Sequence, residues 1–342
     1  LFSIFYYLDR DSFEIMERVS QKMNFIAGDN RSKKHKKIFD QFILFMGKNR
    51  VFTLYANPID KTDSCLVYEI SINGDGIKRQ IPALEEGFLH ESIGKGGIQV
   101  TEVPTDMFTA IEDIYSKYCP IELVVFQLHV YNAFLQQLNT AFHGDLPSSL
   151  RFMGITTGPK TKFAECVLRS QPTNLQINWK TLPSAQIQRQ FSENFFKKFT
   201  SLDDLNKRQL EIDYSGLIGN RPWTATRDTL PLICRYSELT LYSMILPIDL
   251  LPELIEMCFE STEKYVDSWT FALSAPIDYA AMQFFRYDPF TIEEVNSEEF
   301  RRISPTLIIS KKDHPYHLEL ISCVRAGHTV VEITTREKTE EI

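Results

Sequence analysis

The chain has 342 residues, of which 43% are hydrophobic and 24% charged. This length exceeds one ordinary domain, and the composition supports a packed core, so we expect several units or a repeat array and exclude global disorder. The formal net charge of −8 disfavours a nucleic-acid-binding surface, and no apolar run approaches the roughly 18 residues needed to span a bilayer.

The N-terminal 40 residues predict a short helical hairpin. An apolar stretch, Leu1 to Leu8, precedes Asp11, which can cap a second helix with Glu14 in a capping box. Apolar residues then recur at spacings of three and four, as on one face of a helix. The basic run 31–37 is typical of a solvated linker, with phosphate binding as the alternative. The apolar face of this second helix comprises Phe13, Met16, Val19, Met23 and Ile26.

In residues 41–100 the pattern of hydrophobic residues changes to one typical of β-strands, which predicts a strand-rich connector. The segments 51–55 and 65–70 are rich in β-branched and aromatic residues. The turn signal Asn73-Gly74-Asp75-Gly76 follows them, and 83–97 is polar and loop-like.

From residue 101 to 342, short strand-like segments alternate with helical ones. This alternation predicts an α/β fold, and the predicted strands begin 22 to 35 residues apart. Leucine-rich repeats have a period of about 20 to 29 residues, each with a strand and a helix, so we favour an irregular leucine-rich-repeat-like array over a doubly wound sheet. The predicted repeat strands begin at residues 123, 153, 175, 210, 239 and 269, and further strands at 306–310, 317–324 and 329–335 could cap the array.

In such an array, the residues between the inward-pointing apolar positions would line an exposed sheet face. These intervening side chains are polar, acidic and aromatic, a mixture suited to protein recognition. For any one of them, an ordinary solvated strand surface is the alternative. The candidate substrate-binding residues are Gln176, Asn178, Glu211, Asp213, Thr240 and Tyr242.

The opening of the chain resembles an F-box. The resemblance rests on IFYYLDRDSFE (Ile4–Glu14) and VSQKMN (Val19–Asn24), although the usual opening Leu-Pro is missing. The stretch LYSMILPIDLLPELI (Leu241–Ile255) is similar to the F-box-associated regions of the large nematode F-box-like families. The chain begins with Leu, so we expect the N-terminus of the helical segment to be truncated.

The F-box resemblance implies docking to a Skp-type adaptor and a cullin ubiquitin ligase, with the array recruiting a protein substrate. An apolar helix face can be buried in a groove of such an adaptor. The alternative is that the same side chains pack on the following domain, so that the hairpin is a structural cap of a scaffold without a ligase. The candidate adaptor-binding residues are Leu8, Phe13, Val19, Met23 and Ile26.

No pattern predicts catalysis, a metal site or a cofactor. Gly94-Lys95-Gly96-Gly97 lacks the spacing of a phosphate-binding P-loop, and His314-Pro315-Tyr316-His317 has no carboxylate or thiol partner at a recognisable offset. The six cysteines are scattered, which indicates free thiols in a reducing, intracellular compartment, cytoplasmic or nuclear. We therefore expect a non-enzymatic protein whose partners are proteins, without nucleic acid or membrane, and keep an enzyme with a pocket at the strand ends as the last alternative.

Overall fold

The computed structural model divides the chain into two compact units. The first comprises residues 1–124 and 137–147, and the second comprises 125–136 and 148–342. The predicted N-terminal hairpin, with its candidate adaptor-binding residues, lies outside the described residues. The structure describes residues 37–46, 51–59, 65–71, 98–103, 107–201, 208–213, 223–260, 266–277, 282, 285, 287–295, 306–325 and 327–338.

The first unit combines four strands, one helix and most of a fifth strand among its described residues. Strands β1 to β3 pair as an antiparallel meander, and β4 joins β3 in parallel. The elements are β1 (Lys37–Met46), β2 (Val51–Pro58), β3 (Cys65–Ser71), β4 (Ile98–Val103), α1 (Met107–Lys117) and β5 (Tyr118–Phe126), of which β5 belongs to this unit up to Val124.

Aromatic and aliphatic side chains form the core of the first unit. Phe39 and Phe42 of β1 are buried, and the ring of Phe39 lies 4.8 Å from that of Tyr118 at the start of β5. The helix α1 buries Ile111 and Ile114, which recur at helical spacing. These contacts fix β1 beside β5, where Gln41 Nε2 donates to Glu122 Oε2 at 2.5 Å.

The second unit contains a run of parallel strands that follow one another in the sheet in chain order. This order is β7-β8-β9-β11-β12, and β16, β15, β14 and β13 extend it with antiparallel pairs. The elements are β6 (His129–Val130), α2 (Asn132–Ala141, which ends in the first unit), β7 (Ser149–Thr157), α3 (Phe163–Ser170), β8 (Asn174–Trp179), α4 (Ala185–Gln190), α5 (Glu193–Thr200), β9 (Arg208–Asp213), β10 (Trp223–Thr224), α6 (Leu230–Ile233), β11 (Tyr236–Leu246), α7 (Leu251–Cys258), β12 (Ser268–Leu273), β13 (Phe290–Val295), β14 (Thr306–Lys311), β15 (Tyr316–Arg325) and β16 (His328–Glu337).

Helices cover one face of the parallel strands in the second unit. Phe163 of α3 packs edge-on against Phe152 of β7 at 4.8 Å and Trp179 of β8 at 6.0 Å between ring centroids. Phe199 of α5 stacks on Tyr236 of β11. Strand β8 alternates between half-buried and buried residues along its whole length. The sheet therefore has one face packed under helices and another that carries the polar side chains.

The predicted mixed α/β class is confirmed. Strand β1 continues through residue 40, and the expected division of the chain at residues 40 and 100 stays a prediction. Five residues of β1 between positions 39 and 45 are buried, so apolar and polar residues do not alternate clearly along this strand. The periodicity of such a run cannot distinguish a strand from a helix. Within the described residues, no helix has the length and apolar character needed to cross a bilayer.

Candidate functional site

A row of six polar residues crosses the strands of the second unit on the face opposite to α3. Each residue is the register partner of the next, so all six side chains lie on one side of the sheet. We call this set the polar row. It consists of Arg151 on β7, Gln176 on β8, Glu211 on β9, Thr240 on β11, Thr270 on β12 and Glu332 on β16.

Hydrogen bonds between side chains order the first half of the polar row. Arg151 Nε donates to Gln176 Oε1 at 2.6 Å, and Gln176 Nε2 donates to Glu211 Oε2 at 2.5 Å. One step further along the strands, Asn178 Nδ2 donates to Asp213 Oδ2 at 2.9 Å. Gln176 thus accepts through its oxygen and donates through its NH₂ group, and Asn178 donates through its NH₂ group. These bonds hold the carboxylates of Glu211 and Asp213 in fixed positions above the sheet.

The carboxyl group of Glu211 is perturbed by its surroundings on this face. Its partial burial raises the pKa of the carboxyl group, and the nearby carboxylate of Asp213 raises it further. The hydrogen bond from Gln176 and the charge of Arg151 act in the opposite direction without cancelling this effect. The surroundings of Glu211 therefore favour the protonated form of its carboxyl group more than water does.

Tyr242 lies one step beyond Thr240, where the register between β11 and β12 is interrupted after Leu241. Only 4% of Tyr242 is exposed, and its hydroxyl oxygen accepts a hydrogen bond from Arg325 of β15. The guanidinium carbon of Arg325 lies 5.6 Å from the centre of the Tyr242 ring, and its Nη2 lies 2.9 Å from Glu332 Oε1. Burial raises the pKa of Tyr242 to about 12, so this hydroxyl is neutral at physiological pH.

The structure brings most of the sequence-predicted substrate-binding residues together. Gln176, Glu211 and Thr240 lie in the polar row, and Asn178 and Asp213 form the adjacent pair. All five are half-buried with accessible surface, whereas Tyr242 is buried beneath Arg325. Their assignment to substrate binding stays a prediction.

Sequence reasoning missed Arg151, Thr270, Arg325 and Glu332. Arg151 precedes the apolar segment that marked the strand, because β7 begins at Ser149 rather than at Met153. Thr270 occupies the same alternating position in its strand as Thr240 does, and this alternation is the signal that could have identified it. The antiparallel strands β15 and β16 supply the other two residues, and only the strand order reveals that they reach this face.

The described residues contain no group of three metal-ligating side chains. His314, considered in the sequence as a possible ligand, is buried and packs edge-on against Phe259 with ring centroids 5.0 Å apart. Its Nδ1 accepts from the backbone N–H of Tyr316. The loop 94–97 and the candidate residues Leu8, Phe13, Val19, Met23 and Ile26 lie outside the described part of the chain.

The arrangement offers a row of hydrogen-bonding groups with ordered carboxylates at its centre, which suits recognition of donor groups on another molecule. Neither a family model, a curated protein nor a solved structure matches this chain.

Proposed function

We propose that this chain is a non-enzymatic adaptor that recruits a protein substrate to a Skp–cullin–F-box type ubiquitin ligase. In this proposal the N-terminal segment, residues 1–40, docks to the Skp-type adaptor. The polar row and the adjacent pair Asn178 and Asp213 hold the substrate. The compartment of such a ligase is the cytoplasm or the nucleus.

The observation that carries the substrate-binding half is the order of the parallel strands. Successive strands β7, β8, β9, β11 and β12 lie side by side in chain order, as expected of an irregular leucine-rich-repeat-like array. The helices cover one face, and the other displays polar side chains from every one of these strands. A surface built by repetition in this way is a common platform for protein partners.

The adaptor-binding half rests on the F-box resemblance of residues 4–24. The apolar side chains of Leu8, Phe13, Val19, Met23 and Ile26 have the helical spacing that suits a groove on a partner. The described residues of each unit form a core of their own, and the proposal assigns adaptor binding and substrate binding to different parts of the chain.

The test is a binding assay with a purified Skp-type adaptor. The intact chain is compared with a version that lacks residues 1–34, a deletion that ends before Lys37 and so leaves β1 whole. Binding by the intact chain and loss of binding by the shortened one are expected. If the folded intact chain does not bind the adaptor, the ligase proposal fails.

The second candidate is a scaffold for protein–protein interaction without a ligase, in which the N-terminal hairpin is a structural cap. The same polar face favours it, because the face does not depend on the N-terminal segment. Under this alternative, removal of residues 1–34 lowers the stability of the first unit, and the adaptor binds neither version. The two candidates therefore differ in both readouts.

A further inference from the structure

The segment that carries the helical layer of the second unit has a charge opposite to that of the whole chain. Residues 158–201 run from the end of β7 through α3, β8, α4 and α5, and they contain seven basic and two acidic residues, a net charge of +5. The chain has a net charge of −8, so the remaining residues together carry −13. Residues 158–201 are therefore a basic segment within an acidic protein.

The three helices of this segment form one layer on the covered face of the sheet. Helix α3 packs against both α4 and α5. The ring of Phe191, which follows α4, lies 5.9 Å from that of Phe163 in α3 and 4.9 Å from that of Phe195 in α5. These rings are buried, whereas every basic residue of the segment is exposed. We call these exposed cations the basic surface, which consists of Lys160, Lys162, Arg169, Lys180, Arg189, Lys197 and Lys198.

Only part of this positive charge is paired among the described residues. Arg169 donates to Glu165 Oε1, and Lys162 Nζ lies 3.7 Å from Glu165 Oε2. Lys197 Nζ lies 2.8 Å from Glu193 Oε1. Both acidic residues of the segment are thus already engaged by cations of the same segment. The cations whose side chains make no ion pair or hydrogen bond with a described residue are Lys160, Lys180, Arg189 and Lys198.

Helix dipoles explain only some of these positions. The last turn of each of the three helices carries a basic residue, where the dipole favours a cation. Lys160 and Lys180 follow the ends of β7 and β8, so the dipole gives no reason for their charge. The loop of Lys160 is held in place by Asn132, whose Nδ2 donates to the carbonyl oxygen of Lys160 at 3.2 Å. Positive charge therefore flanks the helical layer in addition to capping its helices.

The length of α3 sets the size of the molecule that could contact cations at both ends of this helix. Lys160 lies in the loop before α3, and Arg169 lies in its last turn. A helix of eight residues is about 12 Å long. An extended peptide advances about 3.3 Å per residue, so about four residues cover this distance. A short extended segment with several negative charges is thus long enough.

The other side chains of the basic surface decide between classes of anionic partner. None of the large hydrophobic residues that are exposed in the described part of the chain belongs to residues 158–201. The segment therefore offers neither apolar side chains for insertion into a bilayer nor exposed aromatic rings for stacking of bases. A long polyanion would also extend beyond the basic surface towards a protein whose remaining residues carry −13. Carboxylates on a short segment of protein match the charge without this repulsion.

We infer that the basic surface docks a short extended segment of a partner protein that is rich in aspartate and glutamate. Carboxylates of this segment pair with the cations that have no partner among the described residues. Each such pair at a protein surface contributes little, so the affinity depends on several pairs formed together. The inference goes beyond the proposed recruitment of a substrate on the polar row, because the helices lie on the opposite face of the sheet.

The test uses the full chain and two fluorescent ten-residue peptides in which serine alternates with glutamate or with glutamine. At low ionic strength, the glutamate peptide is expected to bind about tenfold more tightly than the glutamine peptide. Net charge alone predicts the opposite order, because a protein with a net charge of −8 repels an acidic peptide. A glutamate peptide that binds no more tightly than the glutamine peptide would overturn the inference.

Matched triple variants locate the binding on the protein. The first removes three unpaired cations of the basic surface, and we expect about a tenfold loss of affinity for the glutamate peptide. The control removes three exposed cations elsewhere, and we expect less than about a threefold loss. Equal losses, with unchanged circular dichroism, would assign the binding to net charge and contradict the inference. The first variant combines Lys180→Gln, Arg189→Gln and Lys198→Gln, and the control combines Lys117→Gln, Lys312→Gln and Arg336→Gln.

Two other anions test the class of the partner. A single-stranded RNA of ten nucleotides and vesicles that contain phosphatidylserine are each expected to bind the parent chain no more tightly than the first triple variant. If either of them depends on the three cations while the glutamate peptide does not, the basic surface serves a nucleic acid or a membrane and the inference is wrong.

The outcome is independent of the adaptor assay. A chain that binds the Skp-type adaptor but shows no preference for the glutamate peptide loses this inference and keeps the ligase proposal. A chain that prefers the glutamate peptide through the basic surface and does not bind the adaptor keeps the inference, and its ligase role is rejected.

Discussion

The hydroxyl oxygens of Thr200 and Tyr236 lie 2.9 Å apart where the C-terminus of α5 meets the start of β11. Both residues are almost completely buried. Thr200 Oγ1 also donates to the backbone carbonyl of Phe196 at 2.6 Å, which leaves the hydroxyl of Tyr236 to donate to Thr200 Oγ1. The pair thus joins a helix of the covered face to the parallel sheet through a fully desolvated contact.

Removal of this contact is expected to lower the stability of the second unit. Tyr236→Phe deletes the hydroxyl and should reduce the free energy of unfolding by about 1 kcal/mol. Thr200→Val should cost a similar amount, and the double variant should cost less than the sum, because both single changes remove the same bond. Urea unfolding followed by circular dichroism gives the three values. Additive costs within about 0.3 kcal/mol would show that the two hydroxyl groups are not coupled.

The aromatic cluster beneath β8 makes a second prediction. Trp179 has no exposed surface, and its ring lies 6.0 Å from that of Phe163 and 5.5 Å from that of Phe191. Trp179→Ala leaves a large cavity under the helices and should cost about 3–5 kcal/mol of stability. Trp179→Phe, the matched control, retains an aromatic ring and should cost less than half as much. Similar denaturation midpoints for the alanine variant and the parent chain would contradict this packing.

The perturbed carboxyl group of Glu211 predicts a dependence of stability on pH. Because burial and Asp213 raise its pKa in the folded chain, the folded state holds this proton more tightly than the unfolded state. Ionisation therefore lowers stability as pH rises through the range above the ordinary carboxyl pKa. Glu211→Gln cannot ionise, so at pH 7 it should melt about 1 °C above the parent chain.

The comparison at acid pH checks the sign of this effect. Near pH 4, where Glu211 is largely protonated in the folded chain, the advantage of Glu211→Gln in melting temperature should shrink. Glu256→Gln, at a solvent-exposed position, should show no such change between the two pH values. If the Glu211→Gln variant gains stability on acidification relative to the parent chain, the direction assigned here is wrong.

Local pattern was enough to predict several strands of the second unit, among them β8, β9 and β12, because these are short and rich in apolar residues, whereas β13 was not predicted. The apolar alternation of Leu175, Ile177 and Trp179 marks β8, and the structure buries these three residues as expected. Strand β1 was missed, because its consecutive buried residues have no period to distinguish strand from helix.

For the polar face of the sheet, the sequence could predict which residues of a single strand share that face, but not how residues of different strands pair. The alternation of Gln176 with apolar neighbours indicated its face, and the same holds for Glu211. The pairing of the two side chains depends on register, which the sequence does not state. The approach of Arg325 to Tyr242 joins residues 83 positions apart, and it results from the antiparallel strands that follow the parallel run.

The N-terminal segment makes the last prediction. In the proposed adaptor, Leu8 and Val19 enter an apolar groove of the Skp-type protein, and a carboxylate at either position would have to lose its hydration. Leu8→Asp combined with Val19→Asp should therefore abolish binding in a pull-down with purified adaptor, while thermal unfolding of the two described units is unchanged. Glu211→Gln serves as the control, because a change on the polar face should leave adaptor binding intact. Adaptor binding of unchanged affinity by the double aspartate variant would exclude these two residues from the interface.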